Sequence, residues 1–117
     1  MKLGDIISIV EGTLITANAD LDLDIPCACG ADLMSDVLTH ATSGSLLLTG
    51  LVNPQVVRTA EIAEIAAIVF VRGKRPSPEM IALAEEKGIP LIVARYTMFE
   101  MCGRLYERGM DSCDVSR

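Results

Sequence analysis

Short apolar runs that alternate with proline-capped helix patterns constrain this fold more than any other feature. From Ser45 onward such runs occur at residues 45–49, 67–72 and 89–94. Each is rich in leucine, isoleucine or valine, and its length suits a strand better than a buried helix. A continuous apolar run predicts a strand that is covered on both faces. Strands separated by helices favour right-handed βαβ units on a mostly parallel sheet.

Start and stop signals for helices follow the three runs. Asn53 before Pro54 and Ser77 before Pro78 predict N-caps, because the cap side chain accepts an unpaired N–H and proline has the φ angle of a first helical residue. Thr97-Met-Phe-Glu is a capping box. The predicted helices begin at these caps and end near Ala66, Gly88 and Gly109.

The part of the chain before Ser45 is less regular. The patterns there predict a helix at residues 3–10, a strand at 13–16, an exposed edge strand or loop at 20–24, a strand at 27–32 that enters a turn, and a helix or irregular segment at 33–41. We therefore expect one α/β domain over residues 1–109, with three α/β/α layers and a mostly parallel sheet. A polar tail is expected at residues 110–117.

Charge and hydropathy exclude several classes of function. The chain has 10 basic and 16 acidic residues and a net charge of −6, which disfavours non-specific nucleic-acid binding. No apolar run reaches the roughly 18 residues of a membrane span. The N-terminal sequence Met-Lys-Leu-Gly-Asp lacks a signal-peptide pattern. We expect a cytoplasmic protein with reduced thiols, no membrane contact and no nucleic-acid partner.

Five segments together resemble the DRTGG-type domain family. They are Gly-Ala-Asp-Leu-Met-Ser-Asp-Val-Leu at 30–38, Leu-Leu-Leu-Thr-Gly at 46–50, Pro-Gln-Val-Val-Arg-Thr-Ala at 54–60, Ala-Ile-Val-Phe-Val-Arg-Gly at 67–73 and Phe-Glu-Met-Cys-Gly-Arg-Leu-Tyr at 99–106. The resemblance covers residues 3–109, although the five-residue string that names the family is absent. We also expect the domain to stand alone, whereas such modules are often attached to CBS pairs or phosphotransacetylase domains.

The resemblance implies a regulatory or ligand-sensing domain. The family is similar to the N-terminal domain of HPr kinase/phosphorylase, which does not contain that enzyme's P-loop. This chain has no Gly-x-x-x-x-Gly-Lys-Ser/Thr string, so kinase activity is not carried over. The resemblance implies no catalytic residue, and we expect neither enzymatic activity nor a cofactor.

Basic residues follow the ends of the predicted strands. In a parallel sheet, ligands bind outside the carboxyl ends of the strands, where helix N-termini add positive potential. The residues expected to bind a small anion here are Thr49, Gly50, Arg72, Gly73, Lys74 and Arg95. The alternative is that the lysine and arginines only keep the surface soluble.

Ser35 and Asp36 form a polar pair just before the first long apolar run. The pair is typical of a cap or turn, but the family resemblance favours a ligand contact. His40 would share a helical face with Asp36, four residues earlier, if the segment is helical. A surface histidine near a helix end is the simpler interpretation.

Two of the four cysteines, Cys27 and Cys29, lie two positions apart and would face the same side of a strand. Structural zinc sites usually separate such ligands by two to four residues. We therefore expect no bound metal. We interpret Cys102 as part of the apolar, core-facing stripe of the last helix, with Met98, Phe99, Met101, Leu105 and Tyr106. A metal or redox role through Cys27 and Cys29 remains the third functional hypothesis.

The first hypothesis is a non-catalytic module that binds a nucleotide or phosphorylated metabolite. The alternative is a protein-interaction subunit that docks on a larger enzyme without a small ligand. A homodimer is also expected, because Ile62 and Ile65 project opposite the sheet-facing stripe of their helix. A second copy would cover them; the first half of the chain is the other candidate cover.

Overall fold

Six strands and five helices occur along residues 1–113, the part of the chain that this computed structural model describes. The strands are β1 (Thr13–Leu14), β2 (Cys27–Gly30), β3 (Leu46–Thr49), β4 (Ala67–Phe70), β5 (Leu91–Val93) and β6 (Asp111–Ser112). The helices are α1 (Leu3–Val10), α2 (Met34–His40), α3 (Pro54–Ile62), α4 (Pro78–Lys87) and α5 (Met98–Glu107). None of these helices is long and apolar enough to cross a membrane.

All six strands form one sheet in the order β1-β5-β4-β3-β2-β6. Every neighbouring pair is parallel except the pair of β1 with β5 at one edge. The mostly parallel sheet predicted from the strand–helix alternation is therefore confirmed. Because β2, β3, β4 and β5 run the same way, their carboxyl ends lie along one edge of the domain.

Helices cover both faces of the sheet. Leu46 and Leu48 of β3 lie in the core cluster that includes residues of α1 and α5, whereas Leu47 lies in the cluster with α2, α3 and α4. Successive side chains of a strand alternate between the two faces of the sheet. A strand that is covered by apolar helices on both faces therefore has apolar residues at every position. This confirms the predicted three-layer α/β/α architecture.

The predicted helix caps are present. The side chain of Asn53 accepts a hydrogen bond from the N–H of Gln55, and that of Ser77 accepts one from Met80. The hydroxyl oxygen of Thr97 accepts a hydrogen bond from the N–H of Glu100 at 3.3 Å. Each cap satisfies a donor that the helix leaves unpaired.

Helix α3 ends at Ile62, four residues before its expected end, and this corrects the expected position of Ile65. Glu64 adopts a left-handed conformation with φ 56°. The N–H of Ile65 then bonds the carbonyl of Ala60, and that of Glu64 bonds Glu61. This pattern is a Schellman motif. In this motif the apolar residue that follows the left-handed residue packs back against the last turn of the helix. Ile65 is consequently buried at 5% exposure, whereas Ile62 stays 70% exposed.

The sheet continues beyond Gly109, the expected end of the domain. Met110 is buried at 5% exposure, and Asp111 and Ser112 pair with Cys27 and Ala28 as β6. The part of the expected polar tail at residues 114–117 lies outside the described residues.

Gly12 lies at a tight contact between the end of α1 and the sheet. A β-carbon there would come within 2.5 Å of the side chain of Ile92, which is fully buried and branched. We expect Gly12→Ala to lower the free energy of unfolding by about 1–3 kcal/mol. Gly103→Ala is the control, because a β-carbon on that residue of α5 meets nothing within 4 Å. It should raise the free energy by about 0.5–1 kcal/mol. Urea unfolding measures both changes, and equal losses would contradict the packing.

Candidate functional site

The carboxyl edge of the sheet brings most of the predicted ligand-binding residues onto one side of the domain. Strands β3, β4 and β5 end there, and the expected residues either end these strands or follow them directly. Thr49 is fully buried, Gly50 is partly exposed, and the other four are exposed. Those four are Arg72, Gly73, Lys74 and Arg95.

The carboxylate of Asp32 binds the donors at the end of β3. Its Oδ1 accepts the N–H of Gly50 at 2.7 Å and the hydroxyl of Thr49 at 3.1 Å. Asp32 lies in the segment between β2 and α2, so two neighbouring strand ends are joined by this one oxygen. Sequence reasoning assigned no role to Asp32. We call this position, between Asp32, Thr49 and Gly50, the oxyanion position.

The side chain of Arg72 reaches the same position from β4. A β-carbon on Gly50 would lie 3.4 Å from Nη2 of Arg72 and 3.6 Å from Oδ1 of Asp32. Glycine therefore leaves space in which the guanidinium and the carboxylate both approach the backbone. The geometry places a permanent cation beside Gly50, whose N–H is one of the two hydrogen-bond donors.

Arg72 is held in an unusual backbone conformation. Its φ angle is 56°, and Gly73 follows with φ 66°. A left-handed conformation costs a non-glycine residue about 1–2 kcal/mol. The N–H of Arg72 donates a hydrogen bond to the carbonyl of Tyr96, and the N–H of Gly73 donates one to the carbonyl of Ala94. These two bonds to the segment after β5 stabilise the turn. Strain of this kind is concentrated at functional sites, and the side chain of this strained residue lies beside Gly50.

Arg95 lies farther along the edge and contacts α1. Its guanidinium is 4.0 Å from the carboxylate of Glu11 and 5.5 Å from the centre of the Tyr96 ring. The hydroxyl of Tyr96, followed by Arg104 and Arg95, holds the pKa of Glu11 below its usual value. Glu11 and Tyr96 thus each contact both Arg95 and Arg104 at the end of α1, and Arg95 is less available to a ligand than Arg72.

A cleft of about 610 Å³ lies beside β2 and β6, the last two strands at one edge of the sheet. Helix α2 forms one wall through Asp36, Val37 and His40, and α5 forms the other through residues that include Phe99 and Tyr106. Asp36 and His40 therefore share the helical face predicted for them. Ser35, the other half of the predicted polar pair, is exposed and is not among the lining residues.

The lining of the cleft corrects the interpretation of α5. Phe99, Cys102 and Tyr106 were interpreted as part of its apolar, core-facing stripe, but all three are exposed and line the cleft. Met101 and Leu105 form the buried stripe instead. No lysine or arginine of residues 1–113 lines the cleft. The cleft suits a flat apolar group, whereas Arg72 and its neighbours suit an anion.

The cleft and the oxyanion position meet between β2 and α2. Ala31 lines the cleft, and the next residue, Asp32, contacts Gly50. Consecutive α-carbons are 3.8 Å apart. The cleft and the oxyanion position are therefore formed by adjacent residues of the chain.

The structure places Cys27 and Cys29, the residues of the third hypothesis, in different surroundings. Cys29 lines the cleft, while Cys27 is buried and contacts Cys113. Within residues 1–113, no three histidine, cysteine or acidic side chains converge as metal ligands. Metal content remains a prediction for elemental analysis.

Comparison with known proteins gives a family and a similar fold. A family model described as the DRTGG domain matches residues 5–107. No curated protein matches the chain. The similarity to the N-terminal domain of HPr kinase/phosphorylase is not tested by these comparisons and stays a prediction.

One solved structure similar to this chain comprises the CBS and DRTGG domains of the regulatory region of Clostridium perfringens pyrophosphatase, complexed with its activator diadenosine tetraphosphate. The TM-score is 0.69 at 14% sequence identity. The match covers 89% of this chain and 45% of the solved chain. This chain therefore spans less than half of that structure, and the likeness concerns the fold.

Proposed function

The chain belongs to the DRTGG domain family, and on this premise we propose that it is a non-catalytic regulatory module that binds a small anionic ligand. The ligand is a nucleotide or a phosphorylated metabolite, and it binds at the carboxyl ends of β3 and β4. The observation that carries the proposal is the oxyanion position, where Gly50 and Thr49 donate hydrogen bonds to a carboxylate of the chain itself and the guanidinium of Arg72 lies beside Gly50.

Asp32 occupies the place that a phosphate oxygen takes in the bound state. A phosphate oxygen accepts the same two hydrogen bonds, and it also gains a charge-assisted contact with the guanidinium of Arg72. Lys74, exposed two residues later, supplies a second positive charge. Asp32 is itself exposed and can turn into solvent when the ligand enters.

The cleft receives the remainder of the ligand. Phe99 and Tyr106 provide aromatic surface for stacking, and Asp36 provides an acceptor for an amino group. A cleft volume of about 610 Å³ falls within the range of small-molecule sites. A phosphorylated compound with a flat ring, such as a nucleotide, matches both parts.

A thermal-shift screen tests this function. The panel consists of AMP, ADP, ATP, diadenosine tetraphosphate, pyrophosphate and inorganic phosphate. A ligand present at 100 times its dissociation constant adds about 2.7 kcal/mol to the free energy of unfolding. We expect nucleotides to raise the melting temperature by several degrees and inorganic phosphate to have little effect. No shift with any member of the panel would contradict the proposal.

The second candidate is a docking subunit for a larger enzyme. It is favoured by the exposure of Phe99 at 89% and of Tyr106 at 66% on α5, since aromatic side chains are enriched at protein interfaces. Absence of any thermal shift, together with loss of enzyme binding in Phe99→Lys, would favour it over ligand binding.

A further inference from the structure

The sulfur atoms of Cys27 and Cys113 lie in contact, 2.7 Å apart. Cys27 begins β2 and is 6% exposed, whereas Cys113 follows β6 and is partly exposed. The two residues are far apart in the sequence, so their contact is produced by the pairing of β6 with β2. Neither thiol has a place in the ligand site described above.

The backbone around Cys113 fixes this contact. Its N–H donates to the carbonyl of Ala28 at 3.2 Å, and its own carbonyl accepts the hydroxyl of Thr42 at 3.0 Å. Cys113 is thus held from both sides. The sulfur atoms need to approach by only about 0.7 Å to reach the length of an S–S bond.

We propose that Cys27 and Cys113 form a reversible disulfide that fastens β6 to β2 when the protein meets a peroxide. In the first step the sulfur of Cys113 attacks hydrogen peroxide and the O–O bond breaks. One oxygen stays on Cys113 as a sulfenic acid, and the other leaves as water. In the second step the sulfur of Cys27 displaces the sulfenic hydroxyl as a second water. The two thiols are oxidised, the peroxide is reduced, and the thiol hydrogens end in the two waters.

The environment of each thiol sets this order. Burial is the main cause that raises the pKa of Cys27 to about 12, and its hydrogen bond with Cys113 adds to the effect. Cys27 is therefore protonated and shielded from solvent until its partner is oxidised. Cys113 is the more accessible of the two and meets the oxidant first.

The disulfide acts on the cleft through β6. Asp111 and Ser112 line the cleft beside the edge of β2, and β6 is paired at only two positions. A covalent link from Cys113 to Cys27 holds this short wall in place. Reduction leaves it attached by its hydrogen bonds and by the buried side chain of the preceding Met110, so the redox state of the pair sets how firmly one wall of the cleft is held.

Peroxide treatment of the full chain, followed by peptide mapping and melting, tests the proposal. We expect wild type and Cys29→Ser/Cys102→Ser to form the Cys27–Cys113 link. Because the link closes a long loop, their melting temperature should rise on the order of 10 °C, and dithiothreitol should reverse the change. Cys113→Ser and Cys113→Ala should show neither effect, and their melting temperatures in the reduced state verify the fold.

Two results would overturn the proposal. One is a peptide map in which peroxide oxidises exposed Cys102 while Cys27 and Cys113 both remain thiols. The other is a disulfide that joins a different pair or two chains. The nucleotide screen is carried out on reduced wild type, in which no disulfide is present, so failure of the proposed ligand binding is distinguishable from failure of the disulfide.

Discussion

Replacing Ile65 with glutamate is expected to lower the free energy of unfolding by at least about 4 kcal/mol, enough to unfold much of the protein. Ile65 is 5% exposed and lies in the core between the sheet and helices α3 and α4. The substitution removes buried apolar contacts and forces a carboxylate into an apolar layer. Urea unfolding followed by circular dichroism measures the loss.

Ile62→Glu is the matched control, because the same change is made three residues earlier on a side chain that is 70% exposed. The free energy of unfolding should change by no more than about 0.5 kcal/mol. Equal damage at both positions, or damage at Ile62 alone, would contradict the Schellman ending of α3.

Self-association through this helix now depends on Ile62 alone. The expected apolar patch required both isoleucines, but Ile65 is buried in the core of the same chain. The homodimer remains a proposal. Sedimentation of the wild-type chain as a monomer at high concentration would contradict the homodimer.

Local signals explain how much of the fold was predictable. The apolar runs and the caps at Asn53, Ser77 and Thr97 depend on neighbouring residues, and all three caps are present. The errors lie where a single residue changes the chain direction. Arg72 and Glu64 both take positive φ angles, which their residue types do not indicate, so β4 ends at Phe70 and α3 at Ile62.

Non-local pairing was beyond sequence reasoning. Strands β1 and β6 have two residues each, and β6 has no apolar pattern because its two side chains are exposed. Its existence depends on pairing with β2, more than 80 residues earlier. The contact of Cys27 with Cys113 was missed for the same reason.

The candidate site was predictable only in position. The rule that ligands bind at the carboxyl ends of parallel strands placed Gly50 and Arg72 on one edge. The role of Asp32 depends on hydrogen bonds to residues 17 and 18 positions away. The cleft was missed because Phe99 and Tyr106 were assigned to the core, since apolar periodicity alone does not show which apolar residues of a helix remain exposed.

Replacing Arg72 and Lys74 together with alanine is expected to weaken nucleotide binding at least tenfold. Hydrogen bonds to charged groups contribute about 1.5–3 kcal/mol each, and the double variant removes the arginine contact and a nearby positive charge. Both side chains are exposed, so the fold should be retained. Arg58→Ala/Lys2→Ala is the control, since it removes the same charge from exposed positions away from the strand ends. Equal weakening in both variants would indicate a general charge effect.

Calorimetric titration of ATP into wild type and Asp32→Ala tests the oxyanion position most directly. Asp5→Ala is the control, because it removes the same charge from the first turn of α1. Without the carboxylate, the N–H of Gly50 and the hydroxyl of Thr49 are open to the ligand, and a repulsion of about 1 kcal/mol is removed. ATP should therefore bind Asp32→Ala about fivefold more tightly than wild type or Asp5→Ala. Unchanged or weaker binding by a folded Asp32→Ala variant would contradict the claim that Asp32 holds the place of a ligand oxygen.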